Sequence, residues 1–223
     1  MHSKFKHTIL MQGRISKWTS DIINEYSVRF PDAQILLSTW TTENIDGIDC
    51  EVIQTKPPGI TKPHKSTINY QIIGTSEGLK KVDKSIVMKC RTDHFIHNSK
   101  IFEIYEKECP KEKIMIPNHG TYETINYRIS DFCQIATKSI LEDYWLSIPL
   151  HDGKKHIMDS SYMTENYITK IRNDKNAWKS ILRKYFFVKD VHDVFQIEWE
   201  KLNNSEDYQD HYKRGFPQSV END

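Results

Sequence analysis

The sequence is poor in cysteine, glycine and proline, the residues whose abundance would identify a structural class directly. Its 223 residues include only four cysteines, eight glycines and eight prolines, and the residues AVILMFWYC make up 37%. Glycine is too sparse for a collagen-like chain. No apolar run approaches the roughly 18 residues that span a bilayer, and the N-terminus has no apolar secretory segment. These absences predict a soluble cytoplasmic protein without a transmembrane segment, with peripheral attachment to a membrane left open.

An excess of charge of either sign is also absent. The chain has 31 basic and 31 acidic side chains, so its formal net charge is zero. A uniformly basic nucleic-acid binder is therefore excluded, although a local positive patch for a small anion is not. Eleven Tyr, nine Phe and five Trp provide large apolar side chains, so we expect a sizeable core and no nucleic-acid partner.

The four cysteines do not form a recognisable motif. They are widely spaced without a CxxC pair, which favours reduced structural thiols: Cys50, Cys90, Cys109 and Cys133. His94 and His97 follow Cys90 in a C-x3-H-x2-H run, but a zinc site normally needs a second, distant pair of ligands. P-loop, GxGxxG, HExxH and GxSxG motifs are missing as well, which leaves four common chemistries without support.

The first half of the chain alternates short apolar runs with helical periodicity. Predicted strands are His7–Gln12, Ala33–Trp40, Cys50–Thr55 and Ser85–Cys90, and predicted helices are Trp18–Phe30 and Ser66–Val82. The second half predicts strands at Lys113–Ile116, Ile125–Ala136 and Phe186–Val188, and helices at Ser139–Ile148, Tyr162–Ile171 and Ala177–Tyr185. This rhythm predicts an α/β protein with a Rossmann-type mixed sheet and helices on both faces. We expect one domain over residues 1–202 and a polar C-terminal tail over 203–223.

The ends of the predicted strands carry the candidate binding residues. Ligands of open α/β sheets collect at the carboxyl ends of the strands, which here are Gln12–Gly13–Arg14, Ser38–Thr39–Trp40 and Arg91–Thr92–Asp93. Gly13 allows close backbone approach, Arg14 and Arg91 suit phosphate oxygens, and Asp93 suits a divalent cation. These residues predict a pocket for a charged, ring-bearing ligand. Taken singly, Asp93 is more typical of a turn or cap residue than of a metal ligand, and Trp40 is more typical of a core residue than of a ligand contact.

Two further acids are candidates for catalysis. Asp131 interrupts an apolar segment between Ile129 and Phe132, where an ionised carboxylate needs a partner or a cleft. A strand-end carboxylate bonded to the backbone is the alternative interpretation. Glu165 is predicted to open a helix after Thr164, a place where an acid is ordinarily only stabilising.

Six segments, in order along the chain, carry a resemblance to a known family. They are MQG at 11–13, RFPDAQILLSTW at 29–40, NYQIIGTSEGL at 69–79, KCRTD at 89–93, ISDF at 129–132 and TENYI at 164–168. Over residues 7–190 or so, the sequence resembles the WavE family. That family is associated with lipopolysaccharide synthesis and is similar to glycosyltransferases of the GT-A fold.

The resemblance implies transfer of a sugar from a nucleotide-diphosphate donor to a glycan acceptor in surface polysaccharide synthesis. It places the donor diphosphate against Gln12–Arg14, Arg91 and Asp93, and the nucleoside near Ser38–Trp40. GT-A enzymes usually hold Mn²⁺ or Mg²⁺ with an Asp-x-Asp motif. Here only the last acid is present, so the metal role of Asp93 stays open.

The resemblance also bears on the catalytic acid. Glu165 is the first choice for the base of an inverting reaction and Asp131 the second, because acceptor-side acids of GT-A enzymes often sit at a helix start. In a retaining reaction the same acids would position the acceptor.

Two other functions compete with sugar transfer. A nucleotidyltransferase of similar α/β fold would need a glycine-rich first loop, and Gln12–Gly13–Arg14–Ile15 is poor in glycine. A non-catalytic carbohydrate-binding module fits the abundant Trp and Tyr equally well. Hydrolysis of a nucleotide-sugar by the purified protein distinguishes them.

Overall fold

The chain folds into nine strands, six α-helices and two short π-helical segments within the described residues. The computed structural model describes residues 5–83 and 86–199. The first half contains β1 (His7–Gln12), α1 (Thr19–Arg29), β2 (Ala33–Trp40), β3 (Glu51–Thr55), α2 (Ile68–Leu79), β4 (Ile86–Arg91), β5 (His94–Ile96) and α3 (Ile101–Glu108). The second half contains β6 (Ile114–Pro117), β7 (Cys133–Thr137), α4 (Lys138–Trp145), α5 (Asp159–Asn166), a π-helical segment (Tyr167–Ile171), α6 (Trp178–Tyr185), β8 (Phe186–Lys189), a second π-helical segment (Val191–Phe195) and β9 (Ile197–Trp199).

Seven of these strands form one mixed sheet, in the order β3-β2-β1-β4-β7-β6-β8. Strand β7 is antiparallel to both of its neighbours, while the other pairs are parallel. The amino end of β7 therefore lies at the same sheet edge as the carboxyl ends of β1, β2 and β4. This arrangement brings the segment before Cys133 beside Arg91. Strands β5 and β9 pair separately as a short ribbon.

Helices cover both faces of the sheet. Helices α2, α4, α5 and α6 pack on the face that presents Leu10 and Leu36. Helices α1 and α3 pack on the opposite face, which presents Ile9, Met11 and Leu37. Successive strand residues point to opposite faces, so a strand buried on both sides reads as a continuous apolar run. The predicted fold class, a mixed α/β sheet with helices on both faces, is confirmed.

Two predicted elements are wrong in their bounds. The strand predicted at Ile125–Ala136 begins only at Cys133. Tyr127 has a φ of 61°, a left-handed conformation that an extended strand does not accommodate. The helix predicted at Tyr162–Ile171 is α5 followed by the π-helical turn, so Glu165 lies in the last turn of α5 and does not open a helix.

The remaining differences are omissions. The sequence interpretation did not include β5, α3 or β9. The tail predicted over 203–223 and the predicted strand start at Ser85 lie outside the described residues. Over 5–83 and 86–199, every helix is too short or too polar to cross a membrane.

Candidate functional site

A cavity of about 550 Å³ opens at the carboxyl ends of β1, β2 and β4, beside α2. We call it the strand-edge cavity. It is lined by Gln12, Gly13, Arg14, Ile15, Ser16, Trp40, Thr42, Pro57, Ile60, Thr67, Tyr70, Gln71, Arg91, Thr92 and Asp93. Six of the eight residues proposed for donor binding thus come together: Gln12, Gly13, Arg14, Trp40, Arg91 and Asp93. Its size lies within the range of small-molecule pockets.

The other two candidates, Ser38 and Thr39, are fully buried and do not line this cavity. The Ser38 hydroxyl donates a hydrogen bond to the Gly74 carbonyl oxygen at 2.6 Å. A Cβ on Gly74 would lie 2.9 Å from the Gln12 side chain, so glycine is what lets α2 approach β1 there. Ser38 therefore fixes the helix that forms one wall of the cavity.

Gly13 lies where the loop that follows β1 packs against the loop that follows β4. Its φ is +147°, and a Cβ there would lie 2.8 Å from the Thr92 hydroxyl oxygen. That hydroxyl donates to the carbonyl oxygen of Arg14. Any side chain at position 13 would push Thr92 away and open this joint.

Trp40 is only 1% exposed, and its ring meets Tyr70 edge-to-face at 5.0 Å. Trp40 is therefore a core side chain that exposes only a small area to the cavity. Tyr70, half-buried on α2, is the aromatic residue with more surface toward the cavity. The sequence interpretation missed Tyr70, although it lies in the quoted segment NYQIIG.

Arg91 and Asp93 form a bidentate ion pair within the lining. Arg91 donates from Nε to Oδ1 of Asp93 at 2.9 Å and from Nη2 to Oδ2 at 3.0 Å. Trp199 donates to Oδ2 at 3.1 Å. Burial alone raises the pKa of Asp93, but the hydrogen bonds from Arg91 and Trp199, with the nearby charges, lower that pKa to about 2. The carboxylate is ionised and fixed at neutral pH.

This pairing bears on the metal predicted at Asp93. Both Asp93 oxygens already accept hydrogen bonds, and the described residues contain no group of three His, Cys, Asp or Glu side chains suited to a cation. A divalent cation such as Mg²⁺ takes several oxygen ligands. The residues present do not fit a divalent cation, and Asp93 instead holds the Arg91 guanidinium.

Arg14 is the more exposed of the two arginine side chains in the cavity. Its side chain is 81% exposed, and its Nε lies 3.2 Å from Oε1 of Glu43. The other Glu43 oxygen accepts the backbone N–H of Ile15 at 3.1 Å. An exposed pair of this kind contributes little stability, so Arg14 is able to turn toward a bound anion at small cost.

Asp131 lies behind the cavity wall. Its Oδ2 accepts a hydrogen bond from Nε2 of Gln71 at 3.0 Å, and Gln71 lines the cavity. Asp131 precedes β7, so the antiparallel direction of that strand brings it to the edge where Arg91 ends β4. The structure thus places Asp131 beside the predicted donor site.

Lys89 is a charged residue that the sequence interpretation missed. It is fully buried on β4, its Nζ donates to the Asp131 carbonyl oxygen at 3.2 Å, and Nζ lies 4.9 Å from the Trp145 ring centroid. Burial lowers the pKa of Lys89, and the charge of Asp131 opposes that effect. Burying an ammonium group costs several kcal/mol, which marks such a group as a functional candidate. Its place inside the apolar run SIVMKC is the sequence signal from which it could have been found.

Glu165 is not among the residues that line the strand-edge cavity. It lines a second cavity of about 520 Å³, which we call the helix cavity. That cavity is formed by Leu150, His151, Asp152, Lys154, Lys155, Ile157, Tyr162, Glu165, Asn166, Thr169 and Lys170. Tyr167, two residues after Glu165, is fully buried in the core and does not line this cavity.

Several solved structures are similar to this chain. A glycosyltransferase involved in glycosylation of the major capsid of PBCV-1 has 12% identity and a TM-score of 0.47, with 83% of each chain covered. An active-site mutant of LgtC has 10% identity and a TM-score of 0.49, covering 72% of this chain and 69% of its own. A nucleotidyl transferase from Methanothermobacter has 10% identity and a TM-score of 0.46, covering 76% and 85%.

Sequence comparisons give a family but no close relative. No protein of curated function matches the chain significantly. The family model described as WavE lipopolysaccharide synthesis matches residues 9–145, more than half of the chain, and confirms the resemblance carried by the sequence segments. The chain belongs to the WavE family.

Proposed function

We propose that the protein is a glycosyltransferase that moves a sugar from a nucleotide-diphosphate donor to a glycan acceptor. Membership of a lipopolysaccharide-synthesis family supports this class of reaction. The observation that carries the proposal is the strand-edge cavity, where Gly13, two arginines and Tyr70 converge at the sheet edge that binds ligands in open α/β folds.

The donor diphosphate lies between Arg14 and Arg91 in this proposal, and the nucleoside lies toward Tyr70 and Trp40. Asp93 orients Arg91 through the bidentate pair, so the guanidinium needs little reorganisation when the leaving group develops charge. Arg14 gives up its exposed contact with Glu43 and contributes the second positive charge. No step of the reaction is assigned to a metal ion.

Asp131 is the proposed acceptor-side acid. In an inverting reaction its carboxylate takes the proton of the acceptor hydroxyl, a contribution worth roughly 10²–10⁴ in rate. In a retaining reaction it positions the acceptor. We prefer Asp131 to Glu165 because Asp131 contacts a residue of the strand-edge cavity, whereas Glu165 lines the helix cavity.

The test is a panel of UDP-glucose, UDP-galactose and GDP-mannose with the purified protein, with and without EDTA. We expect at least one donor to raise the melting temperature, since it binds the native state, and to release nucleoside diphosphate. EDTA should leave both results unchanged. Pyrophosphate release from a nucleoside triphosphate and a sugar 1-phosphate would instead establish a nucleotidyltransferase. Binding of free oligosaccharides without any nucleotide would establish a carbohydrate-binding module.

A matched pair of glycine variants ties the result to the cavity. Gly13→Ala places a Cβ 2.8 Å from the Thr92 hydroxyl oxygen, whereas Gly47→Ala meets no atom within 4 Å. Both glycines have a positive φ, so both variants carry backbone strain. Only Gly13→Ala should abolish the donor-induced rise in melting temperature. Equal effects of the two variants would contradict the placement.

A further inference from the structure

Two surface loops next to the strand-edge cavity place four lysines together. The backbone N–H of His64 donates to the Gly153 carbonyl oxygen at 3.0 Å, and the His64 and His156 rings lie 6.3 Å apart. Gly153 has a φ of +78°, and a Cβ there would lie 2.5 Å from the Lys62 carbonyl oxygen, so the loops pack tightly. We call residues 60–65 and 150–158 the basic loop pair.

The charge of the basic loop pair stands out against a chain of zero net charge. Its four lysines, all exposed, are Lys62, Lys65, Lys154 and Lys155. The pair contains one acid, Asp152, which lies 3.1 Å from Lys154. The next acid along the chain, Asp159, is half-buried and accepts a hydrogen bond from Ser66. Glu165 lines the helix cavity together with Lys154 and Lys155, but Lys170 lines it as well, so the basic side chains still outnumber the acidic ones on this part of the surface.

Large apolar side chains are exposed within the same loops. Ile60, Leu150 and Met158 are 55%, 53% and 45% exposed. Each lies within four residues of a lysine of the pair. Exposed apolar side chains beside a cluster of lysines are the combination that binds at the interface of an anionic bilayer.

We propose that the basic loop pair docks on the surface of an anionic lipid bilayer. The lysines contact lipid phosphates, and the three apolar side chains enter the interfacial region. A soluble polyanion offers nothing to cover Ile60, Leu150 and Met158, which is why the bilayer is favoured. Ile60 and Thr67 also line the strand-edge cavity, so docking places its mouth close to the lipid surface. The proposal does not depend on the reaction proposed above.

The test is co-sedimentation of the full chain with vesicles of phosphatidylcholine, with and without phosphatidylglycerol. We expect binding only to the anionic vesicles, weakening as salt is added. Each lysine near an anionic surface is worth about 1 kcal/mol, or about fivefold in affinity, so reversing four charges should weaken binding at least a hundredfold. The reversed variant carries Lys62→Glu, Lys65→Glu, Lys154→Glu and Lys155→Glu.

A charge-matched control separates local from overall charge. It reverses four exposed lysines elsewhere on the surface: Lys80→Glu, Lys100→Glu, Lys107→Glu and Lys111→Glu. The control should retain most of the binding, and circular dichroism should show both variants folded. Equal loss in both variants, or no binding of the wild type to anionic vesicles, would overturn the proposal.

The apolar side chains are tested separately. Replacing Ile60, Leu150 and Met158 with serine should weaken vesicle binding while leaving binding to inorganic polyphosphate unchanged. If the triple serine variant binds vesicles as well as the wild type does, the occupant is a soluble polyanion and the bilayer proposal is wrong.

Discussion

The strand-edge cavity and the helix cavity have nearly the same volume, about 550 and 520 Å³, but they differ in how their charges are held. In the strand-edge cavity, Arg91 is fixed by two hydrogen bonds to a partly buried carboxylate. In the helix cavity, Glu165, Lys155 and Lys170 are exposed on a loop and on helical surface. Preorganised charge, more than volume, distinguishes a site for chemistry from a surface depression.

The largest expected effect compares the two carboxylates. Asp131→Asn should lower kcat and kcat/KM together by at least a hundredfold and leave donor affinity nearly unchanged, because a base acts in the transition state. Glu165→Gln is the matched control and should stay within twofold of the wild type. Steady-state kinetics with the best donor measures both. The opposite result would assign the base to the helix cavity.

The second effect concerns Lys89, which holds the backbone of Asp131. Lys89→Met keeps an unbranched side chain that is one atom shorter, and removes the donor to the Asp131 carbonyl oxygen. We expect kcat to fall about tenfold to a hundredfold with donor Kd unchanged, because a small misplacement of a reacting group is costly. A loss of donor affinity with kcat retained would show that Lys89 acts on the donor.

The third effect concerns the anchor of the donor diphosphate. Arg91→Ala should weaken nucleoside diphosphate binding at least tenfold, since charge-assisted hydrogen bonds are worth about 1.5–3 kcal/mol. Arg91→Lys should recover only part of the affinity, because an ammonium group cannot reproduce the bidentate pair with Asp93. Calorimetry on folded variants measures both. Unchanged affinity in Arg91→Ala would remove the donor from this cavity.

Much of the fold was predictable because burial on both sides leaves a clear pattern. Strands β1 and β2 were predicted with their observed bounds from continuous apolar runs. Strands β5 and β9 have only three residues each and pair with each other across about a hundred positions, which local periodicity does not indicate. The strand predicted at Ile125–Ala136 starts too early, because its apolar residues do not indicate the left-handed backbone conformation of Tyr127.

The part of the candidate site at the strand ends was predictable from the sequence. The part that depends on strand direction and on contacts between distant residues was not. The donor-side residues follow directly from three strand ends. The contacts of Asp131 required the direction of β7, and the contact between Trp199 and Asp93 joins residues far apart in the chain. The preference for Glu165 over Asp131 depends on a helix that starts at Glu165, whereas α5 begins six residues earlier, at Asp159.

The smallest effect concerns the pH dependence of stability and the buried histidine that follows Asp93. His94 is fully buried between Phe132 and Trp199, and burial together with the charge of Arg91 lowers its pKa from 6.5 to about 3. The unfolded chain therefore binds a proton that the folded protein does not, and stability is lost as pH falls from 6.5 toward 3. The loss is about 1.4 kcal/mol per pH unit.

Urea unfolding at pH 6.5 and pH 5 measures this loss. The wild type should lose about 1.6 kcal/mol over the interval, and His94→Phe, which keeps an aromatic ring there, should lose much less. The lowered pKa of Asp93 acts only below about 4 and does not enter this interval. Equal losses in the two proteins would show that His94 is already protonated in the folded state.

Hydrogen–deuterium exchange with and without a saturating nucleoside diphosphate is the most direct test of where the donor binds. We predict slower exchange in segments 12–16 and 67–71, which contain residues that line the strand-edge cavity. Exchange should be unchanged in segments 150–157 and 165–170, which contain residues that line the helix cavity. Protection confined to the helix-cavity segments would contradict the assignment of the donor to the ends of β1 and β4.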